Sequence, residues 1–215
     1  MSSPFYMSKN YQEQKLTYTN DGRLLDEEGR AVMMEWERPI MEKQAAIVSG
    51  PGKDVLNVGF GMGIVDTYIQ SHGPRTHTII ELHPDVYFKM LNDGWLRTPG
   101  VIPLFGDWRA YMQHLPKYDG IYIDTWDEDF GEFLEYAPNL LKDKGVLTFF
   151  NNIVNQDNES CIYPPYQDIV SRLYDVEMLE FDIPEVSAID SQSQDGFYYW
   201  DPEFKTYYCP ILRAK

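Results

Sequence analysis

The fold is indicated most clearly by the stretch Val55-Leu56-Asn57-Val58-Gly59-Phe60-Gly61-Met62-Gly63, in which an apolar run is followed by glycines at alternate positions. Glycine tolerates positive φ and leaves room for a ligand at the backbone, and the next helix presents free N–H groups. The stretch predicts a strand, a ligand-binding turn over 59–63 and a helix. It is not the nicotinamide fingerprint, because Ile64 stands where the third glycine is required. Glycine turns of this kind also occur where no ligand binds, so the prediction of a ligand site depends on other residues.

Strand and helix patterns alternate along the rest of the chain. The predicted strands are 55–58, 78–82, 101–105, 120–123 and 146–150, and the predicted helices are 63–70, 85–93, 108–114, 130–141 and 163–174. The pattern predicts an α/β fold with a mostly parallel sheet and helices on both faces. Segments 176–183 and 206–212 can supply an antiparallel edge. In such sheets, ligands bind at the carboxyl ends of the strands.

The N-terminal part differs in character from the rest. Residues 1–32 are polar and rich in turns, and we expect an arm or lid before a single domain over 33–215. The apolar spacing from Met33 to Val48 fits an amphipathic helix. Pro39 is comfortable only in a first turn. The helix is therefore either continuous from Met33 or begins near Arg38, with Glu37 at its N-terminal end.

The composition excludes some partners. The formal charge is −16, from 18 basic and 34 acidic residues. This charge repels nucleic-acid phosphates and favours cations, although solubility alone also explains it. No run reaches the roughly 18 apolar residues of a membrane span, and Met1 to Asn10 lacks a secretory signal pattern. We expect a cytoplasmic protein that binds neither nucleic acid nor membranes. No metal-ligand spacing is evident among the histidines. The oligomeric state stays open, a homodimer included.

Glu81 ends the second predicted strand, eighteen residues after Gly63. An acid there can accept the hydroxyls of a ribose, whereas the alternative is a strand-end acid facing solvent. Without a phosphate-binding lysine, the ligand that fits best is S-adenosylmethionine (SAM). Further predicted cofactor contacts are Leu82, Gly106, Asp107 and Trp108, the last with a flat indole face for the adenine. A capped helix with a core tryptophan explains residues 106–108 equally well.

Two acids are candidates for binding the acceptor. Asp124 directly follows the fourth strand, where an uncompensated carboxylate is costly to bury, although a helix cap also explains it. Glu37 lies either among apolar side chains or at a helix N-terminus, where an acid is favourable anyway. Two carboxylates suit a guanidinium, which pairs bidentately. They can hold the group and accept its proton, so both are predicted catalytic residues, and Asp124 also lies beside the cofactor.

Several motifs together resemble a known family. The segments 32–37, 57–63 and 118–125 are similar to guanidinoacetate N-methyltransferase. The segments 81–86, 94–101 and 144–151 look closer to the catalytic domain of fungal type IV protein arginine methyltransferases, which methylate the arginine δ-nitrogen. The resemblance covers about 33–151. It implies a class I, Rossmann-like methyltransferase fold with Glu81 on the ribose and residues 106–108 near the adenine.

The resemblance also concerns the acceptor. It implies that Glu37 and Asp124 hold the guanidino group, and that Asn151 and Asn152 face its other end. Trp36 and Thr125, which neighbour the two acids in sequence, are placed with them among the substrate-binding residues.

The expected activity is SAM-dependent N-methylation of a guanidino group. A small acceptor resembling guanidinoacetate or arginine is favoured, because the chain has no room for the ankyrin-type region of the fungal enzymes. Its tail from Asn155 onward matches neither relative. The alternatives are a protein arginine δ-N-methyltransferase, an amine N-methyltransferase with an aromatic cage from Tyr198 to Tyr208, and a non-catalytic cofactor-binding protein.

Overall fold

The computed structural model describes residues 11–126, 130–151, 160–186 and 205–215, which form two β-sheets. The smaller sheet is antiparallel, has the order β1-β2-β3 and lies in the N-terminal part. Its strands are β1 (Thr17–Tyr18), β2 (Arg23–Leu25) and β3 (Ala31–Met34). The predicted arm thus includes a sheet, and its last strand continues to Met34, beyond the boundary expected at residue 32.

The larger sheet has seven strands in the order β6-β5-β4-β7-β8-β10-β9. They are β4 (Asp54–Val58), β5 (Thr76–Glu81), β6 (Val101–Phe105), β7 (Tyr118–Ile123), β8 (Leu141–Phe149), β9 (Tyr174–Asp182) and β10 (Thr206–Ala214). Strands β4 to β8 pair in parallel. Strand β10 is antiparallel to both β8 and β9. The predicted α/β class, with a mostly parallel sheet and an antiparallel edge, is confirmed.

Helices cover both faces of the larger sheet. They are α1 (Arg38–Val48), α2 (Ile64–Ser71), α3 (Pro84–Asn92), α4 (Gly131–Tyr136) and α5 (Gln167–Leu173). Alternation along the strands divides the core: Ile121 and Ile123 pack with residues of α4 and α5, whereas Tyr122 packs with residues of α1, α2 and α3. A sheet buried on both faces explains why its central strands are almost continuously apolar.

The N-terminal end of α1 settles the question left by Pro39. The helix begins at Arg38 with proline in its first turn, and Glu35–Glu37 form a short 3₁₀ helix before it. A continuous helix from Met33 is therefore wrong, because Met33 and Met34 belong to β3.

Two other helix predictions are corrected. Segment 108–114 forms two 3₁₀ helices, Trp108–Ala110 and Met112–His114, with the Asp107 side chain accepting the Arg109 N–H at 2.8 Å. Segment 130–141 contains α4 and then the 3₁₀ helix Ala137–Leu140, because a proline near the start of this second helix interrupts α-helical hydrogen bonding.

None of the described helices is both long and apolar enough to cross a bilayer. Within the same residues, no three side chains of histidine, cysteine, aspartate or glutamate come together in a way that could hold a metal ion.

Candidate active site

A cleft opens at the carboxyl ends of β4, β5 and β7, where the sheet topology predicts a ligand. It contains about 620 Å³ of space between protein atoms, a figure that includes space open to solvent. Its lining consists of Tyr11, Val32, Met33, Val58, Gly59, Gly61, Ile80, Glu81, Leu82, Gly106, Trp108, Asp124, Thr125 and Trp126. Eight of these residues were predicted from the sequence as cofactor or acceptor contacts: Gly59, Gly61, Glu81, Leu82, Gly106, Trp108, Asp124 and Thr125.

The glycine turn brings backbone directly to the cleft. Gly59 and Gly61 have φ values of 94° and 56°. A Cβ at Gly59 would overlap the carbonyl oxygen of Asp124, and one at Gly61 would lie 2.6 Å from Met33 Cε. Met33 also accepts the N–H of Met62 at its sulfur, at 3.1 Å. Only glycine meets both the conformational and the steric requirement at these two positions.

Three residues of the turn that were predicted as cofactor contacts, Phe60, Met62 and Gly63, do not line the cleft. Phe60 is buried, with its ring edge-on to Trp95 at 5.2 Å. Gly63 has φ 71° and precedes α2 as its N-cap. Met62 contributes its backbone N–H to the Met33 contact. Their role in this structure is to shape the turn.

Glu81 holds the glycine turn as well as facing the cleft. Its Oε2 accepts the Phe60 N–H at 2.8 Å, and its Oε1 accepts the His83 N–H at 2.6 Å. Burial raises the pKa of the Glu81 carboxyl above its ordinary value, these N–H groups oppose the increase, and the charge of Asp66 adds to it. Each carboxylate oxygen has more than one lone pair, so Glu81 can still accept a hydroxyl from a ligand.

The segment after β6 contributes two of its three predicted residues. Gly106 and Trp108 line the cleft, and Trp108 is only 3% exposed, with its ring edge-on to Phe133 at 5.3 Å. Asp107 is exposed, and its carboxylate caps the following 3₁₀ helix. Trp108 is therefore both a core residue and part of the cleft wall, so the two readings of this tryptophan are compatible.

Glu37 is buried at the start of α1. Its Oε1 accepts the Met34 N–H at 3.0 Å, which fixes the orientation of the carboxyl group. Burial raises the pKa of Glu37 well above its ordinary value, and the nearby charge of Asp124 raises it further. Glu37 does not itself line the cleft, but it is electrostatically coupled to an acid that does.

Asp124 stands at the end of β7, with its N–H donating to Val58 O at 3.0 Å. The hydroxyl of Tyr122 donates to its Oδ2 at 3.3 Å. Burial raises the pKa of Asp124 to about 6, and the Tyr122 hydrogen bond opposes this. Two carboxyl groups that both resist ionisation form a site that a cation would stabilise.

The other predicted acceptor residues fall in different places. Thr125 lines the cleft, and its buried Oγ1 has no hydrogen-bond partner among the described residues. Trp36 packs beside Ile40 and Tyr207. The Asn151 side chain is fully engaged, because it donates to Cys161 O at 2.9 Å and Tyr208 O at 2.7 Å and accepts the Tyr163 N–H at 2.9 Å. Asn152 lies outside the described residues.

Some residues of the site were not found from the sequence. Tyr11, Val32 and Met33 of the N-terminal part line the cleft. Tyr207 is fully buried, and its hydroxyl accepts the Asn151 N–H at 2.6 Å. It belongs to the tyrosine-rich stretch considered for an amine cage, most of which lies outside the described residues. Its position depends on the insertion of β10 beside β8, which sequence patterns do not reveal.

The backbone geometry and the charge of the cleft are compatible with SAM. Close backbone approach at Gly59 and Gly61 leaves room for the ligand, and Glu81 stands where ribose hydroxyls would be accepted. The charged side chains of the lining, Glu81 and Asp124, are both acids, which favours a cationic sulfonium. Glu81, Leu82, Gly106 and Trp108 would surround the nucleoside, and Asp124 would face the reacting end.

Comparison with proteins of known sequence identifies relatives. Over residues 6–179 the chain matches the family model for guanidinoacetate N-methyltransferase. Proteins named protein arginine N-methyltransferase 2 from Yarrowia lipolytica and Aspergillus oryzae are each 36% identical over 228 residues. These matches cover 94% and 99% of this chain but 46% and 53% of the relatives. The chain therefore spans about half their length.

Solved structures of low sequence identity share the fold. TYW2 of M. jannaschii, solved in complex with AdoMet, has a TM-score of 0.57 at 15% identity and covers 94% of this chain and 84% of its own. Spermidine synthase from Thermotoga maritima has a TM-score of 0.60 at 14% identity and covers 94% of this chain and 73% of its own. The fold is that of class I methyltransferases. The chain belongs to the guanidinoacetate N-methyltransferase family, whose members are SAM-dependent methyltransferases.

Proposed function

We propose that this methyltransferase transfers the methyl group of SAM to the guanidino group of an arginine within a polypeptide. The observation that carries the proposal is the coupled pair of carboxyl groups, Glu37 and Asp124, beside the cofactor cleft. A guanidinium offers five N–H donors in a planar fork, which matches two carboxylates better than any other common side chain does.

The chain's own residues account for acceptor orientation. When bound, SAM supplies an electrophilic methyl group on its sulfonium. Met34 N–H orients Glu37, and Tyr122 orients Asp124, so both carboxylates are fixed before the acceptor arrives. Orientation of this kind supplies a large part of the acceleration of a displacement reaction. As the acceptor nitrogen is methylated it loses a proton, which a neighbouring carboxylate can accept.

The carboxylate pair also suggests which nitrogen reacts. If each carboxylate holds one terminal amino group, the nitrogen left for methylation is the δ-nitrogen, which carries the side chain. This agrees with the resemblance to the fungal type IV enzymes.

A polypeptide acceptor is favoured over the small molecule expected from the sequence. Guanidinoacetate and free arginine each carry a carboxylate. The described lining of the cleft contains no lysine or arginine to receive it, and the acids there would repel it. The relatives named protein arginine N-methyltransferase 2 point the same way. The second candidate is a guanidino compound of the guanidinoacetate type, which the family model favours.

The test is a competition between acceptors, of which free arginine and N-acetyl-arginine amide form the pair that differs mainly in terminal charge. Methyl-labelled SAM is supplied with equal concentrations of free arginine, N-acetyl-arginine amide, an arginine peptide with blocked ends, and guanidinoacetate. We expect label on the blocked arginine compounds, with at least about tenfold less on free arginine, because a buried like charge is poorly tolerated. A preference for guanidinoacetate would reject the polypeptide proposal and support the second candidate.

A further inference from the structure

His83 is a buried titratable residue outside the proposed acceptor site. It lies in the turn between β5 and α3 and is 0% exposed. Glu81 and Leu82, which precede it, line the cleft, whereas His83 is not part of the described lining. A buried imidazole is costly unless its ring nitrogens have hydrogen-bond partners, so those partners indicate its role.

The two ring nitrogens of His83 have partners in different parts of the fold. Nδ1 accepts the N–H of Asp85 at 3.2 Å, which caps the N-terminus of α3. Because an accepting nitrogen carries no proton, and because burial lowers the pKa of His83, the ring is neutral with its proton on Nε2. Nε2 lies 2.9 Å from the carbonyl oxygen of Gln14 and donates to it. The ring therefore links the start of α3 to the N-terminal part.

The N-terminal residues that His83 contacts reach the cleft. Gln14 follows the 3₁₀ helix Tyr11–Glu13, and Tyr11 lines the cleft. The rings of Tyr11 and His83 also meet edge to face, with their centroids 4.9 Å apart. His83 thus contacts segment 11–16 both by a hydrogen bond and by its ring.

The 3₁₀ helix of segment 11–16 depends on such contacts for its position. It has three residues, none of them buried. A helix this short is not stable by itself, and segments with few buried contacts open most readily. At the far end of the segment Leu16 is buried, and its N–H lies 3.5 Å from Asp85 Oδ2. Between Leu16 and the cleft, the hydrogen bond and the ring contact of His83 keep Tyr11 in place.

We propose that His83 is a positioning residue for cofactor binding, which holds segment 11–16 at the cleft and thereby slows the dissociation of SAM. It acts through Tyr11 and does not touch the cofactor. A segment that is ordered before the ligand arrives also costs less binding free energy, so the hydrogen bond to Gln14 favours affinity. The proposal depends on the SAM dependence of the family and not on the identity of the acceptor.

Two substitutions separate the two hydrogen bonds of the ring. In His83→Asn the side chain ends at the depth of Nδ1, so it can cap α3, as asparagine does well, but falls short of Gln14. In His83→Gln an amide N–H can take the place of Nε2 and donate to the Gln14 carbonyl, but the cap is lost. If His83 only caps α3, the asparagine variant should behave like the wild type. If it positions segment 11–16, the glutamine variant should bind SAM more like the wild type.

Stopped-flow binding of SAM without any acceptor is the main measurement, because Trp108 and Trp126 line the cleft and their fluorescence should respond to a ligand. We expect His83→Asn to raise the dissociation rate constant of SAM about three- to tenfold, as the loss of one hydrogen bond would. The association rate constant should change by less than about twofold, because a contact that holds the bound state acts mainly on dissociation. In His83→Gln the dissociation rate constant should stay within about twofold of the wild type.

His72→Asn is the matched control, because the ring of His72 is hydrogen-bonded to Ser49 at 2.7 Å and His72 is not among the described residues that line the cleft. It should change neither rate constant. Hydrogen exchange gives a second readout. SAM should slow the exchange of the backbone N–H groups of segment 11–16 in the wild type, and His83→Asn should speed it in the free protein while α3 stays protected.

Three results would overturn the proposal. The first is a dissociation rate constant in His83→Asn equal to that of the wild type, which would leave His83 as a helix cap only. The second is a larger effect of His83→Gln than of His83→Asn. The third is an unchanged exchange of segment 11–16 when SAM binds to the wild type, which is measured without any variant.

Discussion

Glu37 and Asp124 are carboxyl groups in surroundings that penalise their charge. Burial acts on both, and each has one described donor: the Met34 N–H for Glu37 and the Tyr122 hydroxyl for Asp124. A guanidinium bound by both groups would stabilise the ionised form of each. Under the proposed function, the same arrangement that is costly in the free protein would bind the acceptor.

Removing either charge should reduce catalysis more than cofactor binding. Glu37→Gln and Asp124→Asn should each lower turnover of an arginine peptide by about 100-fold or more, because each removes an electrostatic contact to the reacting group. Steady-state kinetics and SAM calorimetry provide the two readouts. SAM affinity should change by less than about fivefold in Glu37→Gln, because Glu37 does not line the cleft, and by more in Asp124→Asn, because Asp124 does. The matched control is Glu35→Gln, an exposed acid paired with Arg38 at 2.8 Å. Near-normal turnover in Asp124→Asn would leave this acid with a structural role only.

The pH dependence follows from the raised pKa of Asp124, which is about 6. Arginine stays cationic across this range, so kcat/KM should fall below about pH 6 as the Asp124 carboxylate is protonated, and the raised pKa of Glu37 should extend the pH dependence upward. A kcat/KM that stays constant down to pH 4 would show that ionised Asp124 is not required.

Stability should change in the opposite direction to activity. The folded pKa of Asp124, about 6, lies above its ordinary value of 3.8, so its contribution to stability is present at low pH and is lost as pH rises towards 6. Asp124→Asn should therefore stabilise the fold at pH 7 by about 1–3 kcal/mol, or several degrees in Tm, and much less at pH 4. Thermal unfolding at the two pH values measures this, and a lower Tm at pH 7 would contradict it.

At the scale of elements, the turn between β4 and α2 is constrained by close approach as well as by conformation. Gly61→Ala should weaken SAM binding by at least about tenfold, because the new Cβ would lie 2.6 Å from Met33 Cε at a φ of 56°. Gly52→Ala is the matched control: its φ is 75°, but nothing lies within 4 Å of the added Cβ. Both variants should lose about 1–2 kcal/mol of stability from the left-handed conformation, and only the first should lose affinity in calorimetry. Equal SAM affinity in the two variants would remove Gly61 from the site.

Some strands and helices could be predicted from the periodicity of the sequence, and others could not. Periodicity predicted the parallel strands and the sheet class, because β4, β5, β6 and β7 are runs of only five or six residues that are rich in apolar side chains. It failed for segment 108–114, where capping by Asp107 produces 3₁₀ turns. It also missed the small N-terminal sheet, whose strands have only two to four residues each. Short strands bury too little for a period-2 pattern to stand out.

Three of the predicted residues that line the cleft lie at strand ends: Glu81 is the last residue of β5, and Gly59 and Asp124 directly follow β4 and β7. Tyr11 and Met33 were missed because they come from the N-terminal part, which tertiary packing places over the cleft. Asn151 lies two residues after the end of β8, and its side chain links three segments of the fold, so its contact with the acceptor stays a prediction. Sequence position alone does not distinguish a side chain that links segments by hydrogen bonds from one that contacts a ligand.

At the scale of the whole molecule, a formal charge of −16 should guide basic partners. We expect the kcat/KM for an arginine peptide with basic flanks to fall severalfold as salt rises from about 0.05 to about 0.5 M, mainly through KM, because salt screens long-range attraction. A peptide with neutral flanks is the control and should change little. Equal salt dependence for the two peptides would show that surface charge does not assist acceptor binding.

In the proposed function, two carboxylates hold the terminal nitrogens of an arginine so that the third nitrogen is methylated. Tandem mass spectrometry of a peptide containing one arginine, after incubation with methyl-labelled SAM, tests it most directly, because fragmentation locates the methyl group. We predict label on the δ-nitrogen, and about 100-fold less of it in the same time when Asp124→Asn replaces the wild type. Label on a terminal nitrogen would contradict the arrangement of Glu37 and Asp124 around the acceptor.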